Sequence, residues 1–164
     1  MKLKAIILAT GLINCIAFSA QAVDSTITVT GNVLQRTCVT PDITVDLGTL
    51  YTSDLSSPGR ASSLKDAQIT LSACQNMTRV QATFSGTPDV DDNAYYKNTG
   101  TAGGVKIELV DKASPSVRYS NNTQKTVNVN NGNAIFELQA RAVSKGGVTP
   151  GNIRSEITVA YTYL

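Results

Sequence analysis

The chain has no histidine among its 164 residues. Ser-His-Asp and Cys-His catalysis both use an imidazole as general base, so these mechanisms are excluded, as are histidine-ligated metal sites. The acidic segment DVDDN at residues 89–93 resembles the start of a calcium loop. It lacks the glycine and glutamate expected at the sixth and twelfth positions, which are Ala94 and Gly100. We interpret this segment as a solvated turn and expect no enzyme activity, no cofactor and no metal site.

The sequence also lacks a hydrophobic run long enough to cross a membrane. The candidate, residues 5–18, follows Lys2 and Lys4 and precedes AQA at residues 20–22. A membrane-spanning helix needs about 20 apolar residues, whereas a short run after basic residues and before a small-x-small site is typical of a secretory signal. We therefore predict a signal peptide at residues 1–22 rather than a membrane anchor. The mature chain then begins at Val23 and is long enough for one domain with its own core.

Neither sign of charge predominates. The chain has 14 basic and 12 acidic residues, and Lys2 and Lys4 leave with the predicted signal peptide. The mature chain is therefore close to neutral, and it has no electrostatic field that would gather nucleic acid or anionic lipid. We expect no nucleic-acid partner.

Cysteine is scarce as well. Of three cysteines, Cys15 lies in the predicted signal peptide, which leaves Cys38 and Cys74 in an exported chain. Disulfides persist in oxidising compartments, so we predict that these two cysteines form one. The alternative, a metal site with two cysteine ligands, has no histidine to complete it.

What the sequence does contain is alternation of apolar and polar residues. In STITVTGNV, residues 25–33, the positions Ile27, Val29, Gly31 and Val33 alternate with polar neighbours. Successive side chains of a strand point to opposite faces, so this pattern predicts a β-strand with one apolar face. The later segments with this pattern have their apolar positions at Ile43, Val45, Leu47; Ile69, Leu71; Val80, Ala82, Phe84; Val105, Ile107, Leu109; Val127, Val129; Phe136, Leu138, Ala140, Ala142; Ile153, Ile157, Val159, Tyr161 and Tyr163.

Turn signals separate these segments, and no amphipathic helix of useful length is evident. Asn131-Gly132 tolerates the positive φ angles of a tight hairpin turn. Many short strands with turns between them predict an antiparallel β-sandwich. The adjacent Tyr95 and Tyr96 fit either a sugar-binding surface or a strand with one ring buried.

The first and last predicted strands raise the question of how the sandwich is closed. An apolar, unprotected edge strand is an aggregation hazard that natural proteins cover or pair. The first strand could pair with the last within one molecule, or strand addition could close the sandwich between molecules. Periodicity alone does not choose between these alternatives.

Several motifs resemble one family across the whole mature chain. They are DSTITVTGNVL at the mature N-terminus, the pair Cys38 and Cys74, the segments TVDLGTLY and FSGTPDVDDNAYYKNTGTAGGVKIELVD, and a C-terminal signature. That signature is a glycine fourteenth from the end, alternating apolar residues and a penultimate tyrosine, here Gly151, Ile157, Val159, Tyr161 and Tyr163. In these features the chain resembles the pilin subunits of chaperone–usher fimbriae, most closely the minor tip subunits of type 1 fimbriae.

The resemblance implies an all-β fold, an incomplete immunoglobulin-like sandwich with one disulfide that a partner's donor strand completes. It implies a donor-strand extension at residues 23–34 and a pilin domain at residues 35–164. The residues implied to enter a neighbour's groove are Ile27, Val29, Gly31 and Val33. Those implied to line the chain's own groove, where the chaperone also binds, are Gly151, Ile157, Val159, Tyr161 and Tyr163.

The resemblance also implies partners and a location. They are a periplasmic pilus chaperone, an outer-membrane usher and neighbouring fimbrial subunits, with export through the periplasm of a Gram-negative bacterium to a surface fimbrium. Tip adhesins of this family have two domains and their pilin half lacks a donor strand, whereas this chain has one domain and an extension. It is therefore expected to be a minor tip or adaptor subunit of an adhesion organelle. The alternative is a secreted, monomeric, carbohydrate-binding β-sandwich whose first strand is needed for its own folding.

Overall fold

The structure is a computed structural model that describes residues 25–164. The predicted signal peptide, residues 1–22, and the beginning of the predicted extension lie outside the described residues. Residues 34–164 form one compact unit, and residues 25–33 belong to a second unit that is described separately.

The described part of the chain contains nine β-strands and no helix, so no helix in it could cross a membrane. The strands are β1 Lys65–Asp66, β2 Ile69–Leu71, β3 Arg79–Gly86, β4 Tyr96–Lys97, β5 Val105–Asp111, β6 Thr123–Asn130, β7 Asn133–Phe136, β8 Leu138–Ser144 and β9 Ile157–Tyr163.

Two antiparallel sheets form the predicted sandwich. One has four strands in the order β1-β8-β5-β4, and the other has five in the order β2-β7-β6-β3-β9. The core follows from alternation, as β3 illustrates: Val80, Ala82 and Phe84 are fully buried, while Gln81 and Thr83 between them are partly exposed. The predicted all-β sandwich is confirmed.

The predicted hairpin is confirmed between β6 and β7. Asn130 pairs with Asn133 across the turn, and Asn131 and Gly132 have φ angles of 49° and 75°. Positive φ at both central residues matches the twist of the flanking strands. The apolar run that follows divides at Glu137, since β7 belongs to the five-stranded sheet and β8 to the four-stranded one. The alternation continues across this change of sheet, because Phe136 and Leu138 are both buried.

Two predicted strands are not strands in the structure. Residues 25–38 have no regular secondary structure, and Ile27 and Val29 are 87% and 89% exposed. Residues 43–47 are likewise irregular, although Val45 and Leu47 are partly buried against the core. The physical reason is that alternation determines which face of a strand is apolar, whereas a strand also needs a partner for its backbone hydrogen bonds.

Of the two interpretations of the adjacent tyrosines, the structure favours the strand with one ring buried. Tyr96 lies in β4 and is fully buried, while the Nζ of Lys106 lies 3.6 Å from the ring centroid of Tyr95. The predicted disulfide between Cys38 and Cys74 is present.

Candidate functional site

Part of the sandwich core is incompletely buried along β9, an edge strand whose one partner among the described strands is β3. The side chains on its core-facing side are only partly buried, whereas the β3 residues opposite three of them, Val80, Ala82 and Phe84, are fully buried. The partly buried residues are Ile157, Val159, Tyr161 and Tyr163. Four of the five predicted groove residues therefore lie on one strand, which has no neighbour on its outer side among the described strands, and the fifth, Gly151, lies in the loop before it.

The backbone N–H and C=O groups of the same four residues also point away from β3. Arg79 and Leu164 donate backbone N–H groups to each other's carbonyls at 3.2 and 2.9 Å, so they form a hydrogen-bonded pair. In an antiparallel ladder such pairs alternate with non-bonded ones. The printed register then directs the N–H and C=O groups of Ile157, Val159, Tyr161 and Tyr163 away from β3. Among the described residues these groups have no hydrogen-bond partner.

Tyr161 shows the mixed environment of this strand. Its ring centroid lies 5.9 Å from that of the buried Phe136, in a tilted arrangement. Burial raises the pKa of Tyr161, and the charges of Tyr163 and Asp42 add to the increase. The same burial packs one side of the ring against the core, while the rest of the side chain is left accessible at the edge.

A depression of about 310 Å³ lies beside the loop that precedes β9. Gly151 lies in its wall, and the apolar residues around it are Leu50, Leu55, Val105, Val148, Pro150 and Ile153. A Cβ added at Gly151 would lie 2.4 Å from the backbone nitrogen of Ala102, so only glycine permits this close approach of two loops. Most of these lining residues were missed in the sequence because they lie in loops, where no period marks them.

Hydrogen bonds hold the two loops together. The Asn152 Oδ1 accepts from the Thr101 backbone N–H at 2.8 Å and from its hydroxyl at 2.7 Å. The Ala102 N–H donates to the Asn152 carbonyl at 3.0 Å, and the Thr99 N–H donates to the Arg154 carbonyl at 2.7 Å. The depression beside β9 therefore has a wall of fixed shape.

The sequence-predicted donor residues lie in residues 25–33. Ile27, Val29 and Val33 have exposed side chains, and a Cβ added at Gly31 would meet no atom within 4 Å. All of residues 25–33 are exposed, so burial does not distinguish the apolar positions from the polar ones, and no ladder partner for them is present among the described residues.

The acidic segment at residues 89–93 has a structural role. Asp89 is buried and accepts from the Lys145 Nζ at 3.0 Å, and Asp91 accepts from the same nitrogen at 2.8 Å. The prediction of a solvated turn is therefore wrong for Asp89. Within residues 25–164, no group of three or more acidic or cysteine residues is arranged to hold a metal ion.

Comparisons with known proteins agree with this architecture. The family model described as "Fimbrial protein" matches residues 27–163. The chain is 63% identical over 164 residues to the S-fimbrial adhesin protein SfaS of Escherichia coli O6:K15:H31, with 99% of each chain covered. Among solved structures, the P pilus rod subunit PapA has a TM-score of 0.66 at 17% identity, covering 77% of this chain and 99% of PapA.

A structure of a chaperone–usher pilus has a TM-score of 0.64 at 19% identity, covering 90% of this chain and 100% of the other. The two structural likenesses concern the fold, whereas the family match spans nearly all of the described residues. The chain belongs to the fimbrial protein family.

Proposed function

We propose that the protein is a non-enzymatic structural subunit of a cell-surface fimbrium, assembled by donor-strand exchange. The observation that carries this proposal is the outer edge of β9. There the same four residues, Ile157, Val159, Tyr161 and Tyr163, have incompletely buried side chains and backbone groups that find no hydrogen-bond partner among residues 25–164. A strand added beside β9 would satisfy both needs at once, which is the β-augmentation mode of recognition.

The extension at residues 23–34 has the chemistry of the strand that such an edge requires. Ile27, Val29 and Val33 lie two or four residues apart and are exposed, so one face of an added strand would be apolar. Burying these three side chains would stabilise the complex by roughly 1.5–3 kcal/mol each. Gly31 would lie where the groove leaves no room for a side chain.

Ordering an extension costs about 1–2 kcal/mol per residue, which nearly offsets those side-chain terms and the ladder bonds of about 0.5–1.5 kcal/mol each. The net stabilisation of the complex then comes mainly from covering the partly exposed core along β9. This favours a pilin domain, residues 35–164, that is marginal alone and stable when complemented.

The remaining details follow the same proposal. A periplasmic chaperone would occupy the groove first, and the extension of a neighbouring subunit would replace it at an outer-membrane usher. The chain would reach the surface of a Gram-negative cell through the periplasm. The extension and the groove would connect the protein to two neighbouring subunits, and within such a chain of subunits we propose a minor tip or adaptor position.

Thermal melting of a chain that lacks residues 23–34, with and without donor peptides, tests the proposal. A peptide at about a thousandfold excess over its Kd stabilises the folded state by about 4 kcal/mol, which raises the melting midpoint by about 10–20 °C for a domain of this size. The peptides are the chain's own extension and those of sibling subunits, and the one with the largest effect identifies the neighbour.

Two altered peptides provide a matched control. In one peptide, Ile27 and Val29 are replaced by aspartate. In the other peptide, Thr26 and Thr28 are replaced by aspartate. Both carry the same added charge, but only the first places it on the apolar face. We expect the first to lose the effect and the second to keep it. A truncated chain that melts cooperatively and ignores every peptide would contradict the proposal and favour a closed, carbohydrate-binding sandwich.

Adhesive contact is a second candidate function. The 63% identical relative carries the word adhesin in its name, and it has the same length as this chain. This role is compatible with donor-strand exchange, because a subunit can hold its neighbours along β9 and present another face to a receptor.

A further inference from the structure

The outer face of the five-stranded sheet is almost free of charge. The residues that point outward from its strands are mostly hydroxyl and amide residues, and Arg79 is the one charged residue among them. They are Thr70, Arg79, Gln81, Thr83, Ser85, Gln124, Thr126, Asn128, Asn130, Asn133, Ile135, Thr158, Ala160 and Thr162. The outer side of the four-stranded sheet differs, since Glu108 there is paired with Arg118 and Arg141.

A depression of about 570 Å³ opens on this face, which carries few charges, at the β6–β7 hairpin. Its wall includes four asparagines, one threonine and one exposed isoleucine, namely Asn128, Asn130, Asn131, Asn133, Thr126 and Ile135. No charged residue lines it. Its volume lies within the range of about 300–1,000 Å³ that is typical of small-molecule sites.

The amide groups in this depression are available to a ligand. Asn130 and Asn133 are paired across the hairpin, and the Asn133 Nδ2 donates to the Asn131 carbonyl at 3.2 Å. Within residues 25–164, the side chains of Asn128 and Asn130 have no hydrogen-bond partner. Two neighbouring rungs of the sheet therefore present free amides on one surface.

The chemistry of this wall fits a hydroxyl-rich, uncharged ligand. Each asparagine amide supplies two donors and one acceptor, which matches sugar hydroxyls that both donate and accept. Ile135 is 45% exposed and offers an apolar surface for the C–H face of a pyranose ring. The lining residues themselves carry no charge, so a ligand would be held by their amide, hydroxyl and apolar groups; Arg79, which pairs with Asn128 across β3 and β6, is not one of the lining residues.

We propose that the depression formed by Thr126, Asn128, Asn130, Asn131, Asn133 and Ile135 binds a neutral oligosaccharide. The proposal rests on the second candidate function, adhesive contact, and is independent of donor-strand exchange. These side chains point outward from the sheet, whereas the β9 groove involves side chains that face the core.

Binding is measured on the full exported chain with an array of neutral and carboxylated oligosaccharides, followed by calorimetry with the best neutral one. The test variant combines Asn128→Asp and Asn130→Asp, which preserves shape but removes four amide donor hydrogens. Gln124→Glu is the matched control, because it adds a carboxylate to the same strand and face outside the depression. We expect the double variant to bind at least tenfold more weakly and the control to bind within about twofold of the parent.

Each variant is also checked by thermal melting. If the double variant is unstable, Ile135→Gln replaces it, since this exposed position contributes little to folding, and at least a threefold loss of affinity is expected. The proposal is overturned if no neutral oligosaccharide binds at millimolar concentration or if Gln124→Glu weakens binding equally. Binding of carboxylated sugars alone, abolished by Arg79→Gln, also overturns it, as does occupation of this face by a neighbouring subunit. The effect of donor peptides in the melting experiment tests donor-strand exchange alone, so its result does not decide whether the depression binds a sugar.

Discussion

Removal of two buried tyrosine hydroxyls in the sandwich should change the free energy of unfolding in opposite directions. Tyr96 is fully buried, and its hydroxyl has no hydrogen-bond partner among the described residues. Tyr119 is also buried, but its hydroxyl donates to the Asp111 Oδ2 at 2.9 Å. The changes Tyr96→Phe and Tyr119→Phe each remove one oxygen and leave the ring in place, so they form a matched pair.

The expected magnitudes follow from the cost of an unmade hydrogen bond. A buried, unsatisfied polar group costs about 1–3 kcal/mol, whereas a hydrogen bond to a charged group contributes about 1.5–3 kcal/mol. Tyr96→Phe should therefore raise the free energy of unfolding by about 1 kcal/mol or more. Tyr119→Phe should lower it by about 1.5–3 kcal/mol, because Asp111 loses a donor while keeping Lys125.

Alkaline pH provides a second measurement on the same variants. Burial raises the pKa of Tyr96 from its ordinary value of 10.0 to about 12. Between these two pH values the unfolded tyrosine has lost its proton and the folded one has kept it, so the unfolded state binds fewer protons and stability falls as pH rises. The slope for one group is about 1.4 kcal/mol per pH unit. Tyr96→Phe should remove that contribution from the parent's decline.

Denaturant unfolding at pH 7 and at several pH values up to 11.5 measures both effects. Tyr119→Phe is the control at pH 7 only, because burial and the hydrogen bond to Asp111 raise the pKa of Tyr119 as well. If Tyr96→Phe destabilises the chain as much as Tyr119→Phe does, the Tyr96 hydroxyl has a partner such as a bound water, and this reasoning about an orphaned group is refuted.

Two further predictions concern the loop before β9 and the disulfide. Gly151→Ala should lower the free energy of unfolding by about 1–3 kcal/mol, since the new Cβ meets backbone atoms of Ala102, whereas Gly31→Ala should leave the melting midpoint of the free chain unchanged. Replacing Cys38 and Cys74 by serine should lower the free energy of unfolding by about 4 kcal/mol in the chain-entropy model, because the bridge closes a loop with a sequence separation of 36. Denaturant unfolding with and without reductant checks the second, and an equal response of parent and variant to reductant would contradict it.

Strands with three or more alternating residues were predictable from sequence, and the shortest ones were not. β3 and β5 were identified from their apolar positions, which the structure places in the core. β1 and β4 have two residues each, too few to show a period. Their pairing depends on the strands that they lie beside, β8 and β5, and that information is tertiary.

Alternation also failed to distinguish a strand from an extended segment. Residues 43–47 have the same pattern as β9, and Val45 and Leu47 are partly buried as the pattern predicts, whereas Ile43 is 42% exposed. The segment has no ladder partner among the described residues, so its side chains pack without a sheet around them. The alternation of side chains predicts which face is buried, but it does not predict whether the backbone has a hydrogen-bond partner.

The same distinction explains what the sequence could say about β9. In an antiparallel strand, residues of one parity share both the direction of their side chains and the direction of their backbone groups. Parity therefore identified Ile157, Val159, Tyr161 and Tyr163 as one set, but it could not tell whether the outer edge was paired. At the opposite edge of the sheet, Val39 exchanges backbone hydrogen bonds with Ser72, directly after β2. Only the topology reveals that β9 has no such partner among the described residues, and that difference between two edges of one sheet makes β9 the candidate site.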